Sequence, residues 1–255
     1  MNALSSDQFW PGAVHSSRRR KWSKRHWLFL QGTHTTAYFS RKLNELTDDE
    51  YDAPSLLPGW SRRFVIAHVG YNARAIARLV EWARTGVETP MYESVEQRDT
   101  EITYGAALNP VALRNLHHHA AVALNVEWRD LPADAWANRV RTIQGRDVPV
   151  AETVWMRTRE VWLHAVDLGN GGSFTDFPPE LVDHLLADVA TTWRRRGVGD
   201  DLDLQPTYRP MPRDPEQGPT VIHGTAAQLA RWATGRWEID VTSSTGDVIR
   251  SPRWP

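Results

Sequence analysis

Apolar residues recur at helical spacing along much of the chain, and those stretches outline its architecture. An amphipathic pattern over residues 27–46 predicts a first helix, with Leu28, Phe39 and Leu43 toward the core. Leu57-Pro58-Gly59-Trp60-Ser61 reads as a turn ending in a serine N-cap. A second helix then runs to about Thr85, its stripe passing through Val65, His68, Val69, Asn72, Ile76 and Leu79. Asn109-Pro110 opens a third helix to about Asp130, carrying Leu113, Leu116, Leu124 and Trp128. Residues 139–143 and 148–150 flank Gln144-Gly145-Arg146 as a short hairpin. The fourth helix covers residues 152–168 and stops at the glycines of 169–172. Four long helices and one hairpin predict a helical bundle over residues 27–170.

The pattern then changes. Residues 169–177 read as a linker, followed by a helix at 179–195 and a strand-like stretch at 201–208. A proline-rich loop at 206–219 leads to a strand at 220–223. Thr225 caps a helix to about Thr234, and residues 237–243 form a closing strand. This alternation predicts a smaller α+β unit at residues 171–255, so the overall class is α+β. Residues 1–26 stand apart: Arg18, Arg19, Arg20, Lys21, Lys24 and Arg25 crowd together without the apolar stretch of a secretory signal. This basic segment is expected to be disordered, the alternative being a basic arm for nucleic acid or a membrane surface.

Composition narrows the function classes. With a formal net charge of −1 over 255 residues, the chain lacks the basic excess of a nucleic-acid binder. No run approaches the roughly 18 apolar residues of a membrane span, and no membrane partner is expected; a cytoplasmic monomer is the expected state. There are no cysteines. Disulfides, zinc-cysteine sites and a protein thiol nucleophile are therefore excluded, and any thiol chemistry must use a thiol from outside.

Glu160 and His164 lie four residues apart, on one face of the fourth helix, with Met156, Leu163 and Asp167 on the same stripe. Charged groups on a core stripe need compensation, because a buried unpaired charge costs several kcal/mol. With His68 on the facing stripe of the second helix, these residues make the two-histidine, one-carboxylate set of a catalytic zinc site with an open position. Two simpler arrangements remain open at this level: His68 as a hydrogen-bonded core histidine, and Glu160 paired with Arg157 or Arg159. Asp167 is either a partner holding the His164 ring or a helix-terminal acid. His117-His118-His119 is a weaker ligand source, since successive helical side chains diverge by about 100°. His223, on a predicted strand, reads as structural. Arg236 follows Gly235 at a tight turn, from which a guanidinium fork suits a dicarboxylate.

Several of these segments resemble one known family. Leu-Pro-Gly-Trp-Ser-Arg at 57–62, Ile-Ala-His-Val-Gly-Tyr-Asn-Ala at 66–73 and the run from Glu152 to Gly169 are similar to mycothiol-dependent maleylpyruvate isomerases. So are Glu88-Thr-Pro-Met-Tyr, Tyr104-Gly-Ala-Ala-Leu-Asn-Pro and Val241-Thr-Ser-Ser-Thr-Gly, and the resemblance spans residues 28–255. It implies a DinB-like four-helix bundle followed by a smaller, sterol-carrier-like α+β domain. It implies zinc held by His68, Glu160 and His164, and a catalytic arginine at Arg236. The implied reaction turns maleylpyruvate into fumarylpyruvate in the gentisate branch of aromatic degradation. Rotation about a C=C bond requires its temporary saturation, here by reversible addition of the mycothiol thiolate. The implied partners are a small dicarboxylate substrate and mycothiol. A mycothiol S-transferase acting on electrophilic xenobiotics, and a non-catalytic zinc-binding regulatory module, are the alternatives for such a site.

Overall fold

A computed structural model describes residues 36–207, 219–236 and 241–254. The basic segment 1–26, the first turns of the first predicted helix with Leu28, most of the proline-rich loop and the start of the closing strand lie outside the described residues.

Helix α1 is described over residues 36–44, and Phe39 and Leu43 are buried as their spacing predicts. A 3-10 turn at Asp48–Asp52 leads to α2 (Arg62–Thr85). Ser61 sits at the N-cap position of α2 in extended conformation, yet its side chain makes no capping hydrogen bond. Helix α4 (Pro110–Asp130) is capped as expected: the Asn109 side chain accepts from the Ala112 N–H at 2.9 Å, and Pro110 fills a first-turn position needing no donor. The strands β1 (Arg139–Arg141) and β2 (Asp147–Pro149) form the expected antiparallel hairpin. Helix α5 (Glu152–Asp167) ends where Gly169 takes φ +68°, a left-handed conformation that stops the helix at little cost for glycine.

Helix α2 is the centre of the bundle. It packs against α3 (Val95–Ala106), α4 and α5, and residues 65–73 are all buried. A helix covered on every side places even its polar residues in the interior. His68 and Asn72 are therefore held at the α2–α5 interface.

One element departs from expectation. Helix α3 (Val95–Ala106) forms where the hydrophobic pattern predicts none. Its sequence, VEQRDTEITYGA, is mostly polar, and only Ile102, Gly105 and Ala106 are buried. Its start is nevertheless encoded: Ser94 accepts from the Gln97 N–H at 3.1 Å, and the Gln97 side chain accepts from the Glu93 N–H.

The second half contains α6 (Pro179–Arg196), β3 (Leu202–Pro206), β4 (Thr220–Gly224), α7 (Ala226–Ala233) and β5 (Thr242–Ser243). Strand β4 is central, parallel to β3 and antiparallel to β5. The α+β class holds. Leu185, Val189, Trp193, Ile222, Leu229 and Trp232 join one continuous apolar cluster with Phe39, Val65, Val161 and Leu168 of the bundle. That shared core brings the turn after α7 to the C-terminal end of α5, where Arg236 meets Asp167.

Candidate metal centre

The site is built from two turns of α5 and one of α2. Glu160 and His164 project from successive turns of α5, and His68 meets them from α2. Glu160 Oε2 lies 3.0 Å from His68 Nε2 and 3.2 Å from His164 Nε2. The imidazole rings are 4.8 Å apart, centroid to centroid, and nearly perpendicular. One ligand atom from each of the three residues falls within 4.8 Å of the other two. Both histidines are buried. Trp60, in the turn before α2, packs edge-on to the His68 ring at 5.6 Å.

A second tier fixes His164. Asp167, one turn further along α5 and fully buried, lies 2.8 Å from His164 Nδ1. Its carboxylate is held in turn by Arg236, whose Nε donates to Oδ1 at 2.9 Å and Nη2 to Oδ2 at 2.7 Å. The third guanidinium nitrogen, Nη1, donates to the Thr234 carbonyl at 3.0 Å. Gly235, at φ +72°, turns the chain after α7 so that Arg236 reaches back to the bundle. Of the two roles open to Asp167, the structure realises the ring-holding one.

Burial and pairing set the protonation of these groups. Burial opposes ionisation of Glu160, but hydrogen bonds from His164 and His68 outweigh it and hold the carboxyl well below its usual range. Burial alone would lower His164, yet its bonds to Asp167 and Glu160 win and raise it. His68 has no second acid beside Glu160 among the described residues, and burial pushes it down. Asp167, disfavoured by burial, is kept below the ordinary carboxylate range by the Arg236 charge and the His164 bond.

The donor set fits a divalent cation. With His164 Nδ1 held by Asp167, Nε2 is the nitrogen directed at the cluster, the arrangement typical of metal-bound histidine. The three groups satisfy one another through one shared carboxylate oxygen, Glu160 Oε2. Two imidazole nitrogens that give up a proton to a cation, and a carboxylate that stays ionised, fit a divalent metal with a fourth position left for a ligand.

The arginine partners considered for Glu160 go elsewhere. Arg157 turns into the bundle, where Nη1 donates to the Val69 carbonyl at 2.7 Å and to Asn72 Oδ1 at 3.0 Å. Burial pushes it down to about 10. Arg159 pairs with Asp188 at 2.9 Å and only approaches Glu160, at 3.9 Å. The histidine triplet divides as helix geometry requires: His117 is buried, its Nε2 2.9 Å from Ser40 Oγ, while His118 and His119 are exposed. His223 lies in β4, in register with Gln205 and Thr242, away from the cluster.

Sequence reasoning did not find Arg98. From α3 its Nη2 approaches His68 Nδ1 to 3.5 Å. Buried Tyr92 lies in the segment leading to α3, close enough that Arg98 and Glu160 both bear on its hydroxyl, which burial raises. The Ser94-x-x-Gln97 start signal was the available clue to α3. Nothing local shows that α3 brings Arg98 to His68.

The comparisons agree across both halves. Residues 33–169 match the family described as "Mycothiol maleylpyruvate isomerase N-terminal domain", and residues 176–252 match "MDMPI C-terminal domain". The chain is similar to the crystal structure of a mycothiol-dependent maleylpyruvate isomerase, with 45% identity and a TM-score of 0.86 over 91% of this chain and 98% of that one. A histidine-to-alanine mutant of such an isomerase matches at 44% identity and a TM-score of 0.85, with the same coverage of both chains. No match is found among curated proteins.

Proposed function

The chain belongs to the mycothiol maleylpyruvate isomerase family, and on that premise we propose that it isomerises maleylpyruvate to fumarylpyruvate with mycothiol as thiol cofactor and zinc as metal. The observation that carries this reading is the convergence of His68, Glu160 and His164, within 4.8 Å, in a chain with no cysteine.

His68, Glu160 and His164 would hold the metal. When bound, the metal supplies a Lewis-acidic seat that keeps a thiol ionised near neutral pH, and mycothiol supplies the thiol whose reversible addition frees the cis double bond to turn. The chain's own residues do the rest. Asp167 keeps the proton of His164 on Nδ1, so Nε2 stays directed at the cluster. Trp60 packs edge-on against the His68 ring and covers one side of it. Arg236 is the catalytic arginine of this reading. Nε, Nη1 and Nη2 each commit one N–H to the protein. Of the five guanidinium donors this leaves one on each Nη for a substrate carboxylate and the charge that develops beside it.

We also assign residues 27–170 as the metal-carrying unit, residues 171–255 as the smaller unit supplying Arg236, and the gentisate branch as the setting of a cytoplasmic monomer. Among the described residues no helix is long and apolar enough to cross a membrane. The test follows maleylpyruvate absorbance with and without mycothiol, on zinc-loaded and chelated protein. Isomerisation is expected only when both metal and thiol are present. An unchanged rate after chelation, or without added thiol, overturns the proposal. A stable thioether product in place of fumarylpyruvate points instead to an S-transferase.

A further inference from the structure

The two histidines of the cluster are supported differently. A metal-binding histidine ordinarily gives its second ring N–H to an acceptor, which fixes the tautomer. His164 has one in Asp167. Among the described residues His68 has none: its Nδ1 faces the Nη2 of Arg98 at 3.5 Å. A guanidinium nitrogen only donates. The contact therefore requires the His68 ring proton on Nε2, where it is given to Glu160 at 3.0 Å. Metal binding reverses this. Once the Nε2 lone pair is directed at a cation, the ring proton must sit on Nδ1, and two donors face one another with nothing between them.

Arg98 is weakly held where it stands. Its ion-pair partner is the adjacent Asp99, whose side chain is 61% exposed, and exposed pairs of this kind contribute little. Its own side chain keeps 26% of its surface accessible. The site thus has a guanidinium and an imidazole N–H pointing at one place, and an anionic acceptor would satisfy both.

We infer that Arg98 and His68 Nδ1–H together form a carboxylate subsite, in which one carboxylate group of the substrate accepts hydrogen bonds from both. This deepens the proposed function and rests on its assignment of His68 as a metal ligand. The placement suits a short dicarboxylate: Arg98 stands beside His68, and Arg236 stands beside the Asp167 that holds His164. Each histidine of the centre then has one guanidinium at its flank, one for each end of the substrate.

The test uses the zinc-loaded full-length chain, titrated calorimetrically with maleate and with maleamate, in which a carboxamide replaces one carboxylate. In Arg98→Gln, maleate binding is expected to weaken roughly 10- to 100-fold, the range of a hydrogen bond to a charged group. Zinc stoichiometry should stay at the wild-type value, and the preference for maleate over maleamate should shrink. Arg98→Lys should recover part of the affinity through its charge. Maleate affinity within twofold of wild type in Arg98→Gln overturns the subsite. So do an equal weakening of both ligands, loss of zinc, or no maleate binding to the wild type. The outcome is separable from the isomerase reading. A wild type that isomerises while Arg98→Gln binds maleate normally removes only the subsite. A wild type without isomerase activity, whose Arg98→Gln variant still loses maleate, removes only the reaction.

Discussion

Asp167 is the residue on which the centre turns, because one carboxylate holds two partners at once. It receives Arg236 through both oxygens and bonds His164 Nδ1 through one of them, with no exposure to water. Asp167→Asn would leave an amide NH2 or carbonyl toward the ring and weaken the tautomer control of His164. Zinc affinity is expected to fall about 10- to 100-fold, as for other second partners of metal histidines, measured by competition with a chromogenic chelator. The same carboxylate contributes to acid stability, with a definite sign. Its folded-state pKa is depressed, so the unfolded chain binds the proton more readily. Its stabilisation is present above about pH 4 and lost as pH falls through the folded value. Urea midpoints of the metal-free protein taken from roughly pH 6 to pH 3 should therefore fall less steeply in Asp167→Asn than in wild type.

At the level of elements, α2 and α5 were readable from the chain and α3 was not. The stripes through Val65, His68, Val69 and Asn72, and through Glu160, Leu163 and His164, carry enough apolar residues for the 3.6-residue period to show which side faces in. Helix α3 buries too little for that signal. Its contact with α2 depends instead on Gly105: a Cβ there would come within 2.6 Å of the Tyr71 ring and 3.0 Å of Ala67 Cβ. Gly105→Ala should cost about 1–3 kcal/mol, the range for overpacking a close contact, as read by urea unfolding. Since α3 also carries Arg98, the same variant should disturb the approach of Arg98 to His68. A stability unchanged from wild type would mean that the two helices separate without strain.

Across the whole molecule the centre joins parts of the chain that are far apart in sequence. His68 and Glu160 are 92 residues apart, and Asp167 and Arg236 are 69 apart, yet one apolar cluster runs from Phe39 to Trp232 and holds them in place. A ligand that binds only the folded chain stabilises it, by about 2.7 kcal/mol at a hundredfold excess over Kd. Chelating the metal should therefore lower Tm by roughly 5–10 °C for a chain of this size, by calorimetry with and without chelator. An identical Tm would show that no metal links these elements in the folded protein. The positions of α2, α4 and α5, the Asn109 cap, the inward face of His68 and the donor types were determined by the sequence, because each depends on residues within a few turns of one another. The family words in the sequence pointed to the ligand set and to Arg236. Packing alone decided that Arg236 is locked to Asp167, that Arg157 turns away from Glu160, and that Arg98 meets His68. Hydrogen bonds between distant segments depend on how each helix is rotated and shifted against its neighbours, and periodicity along one helix carries no information about that.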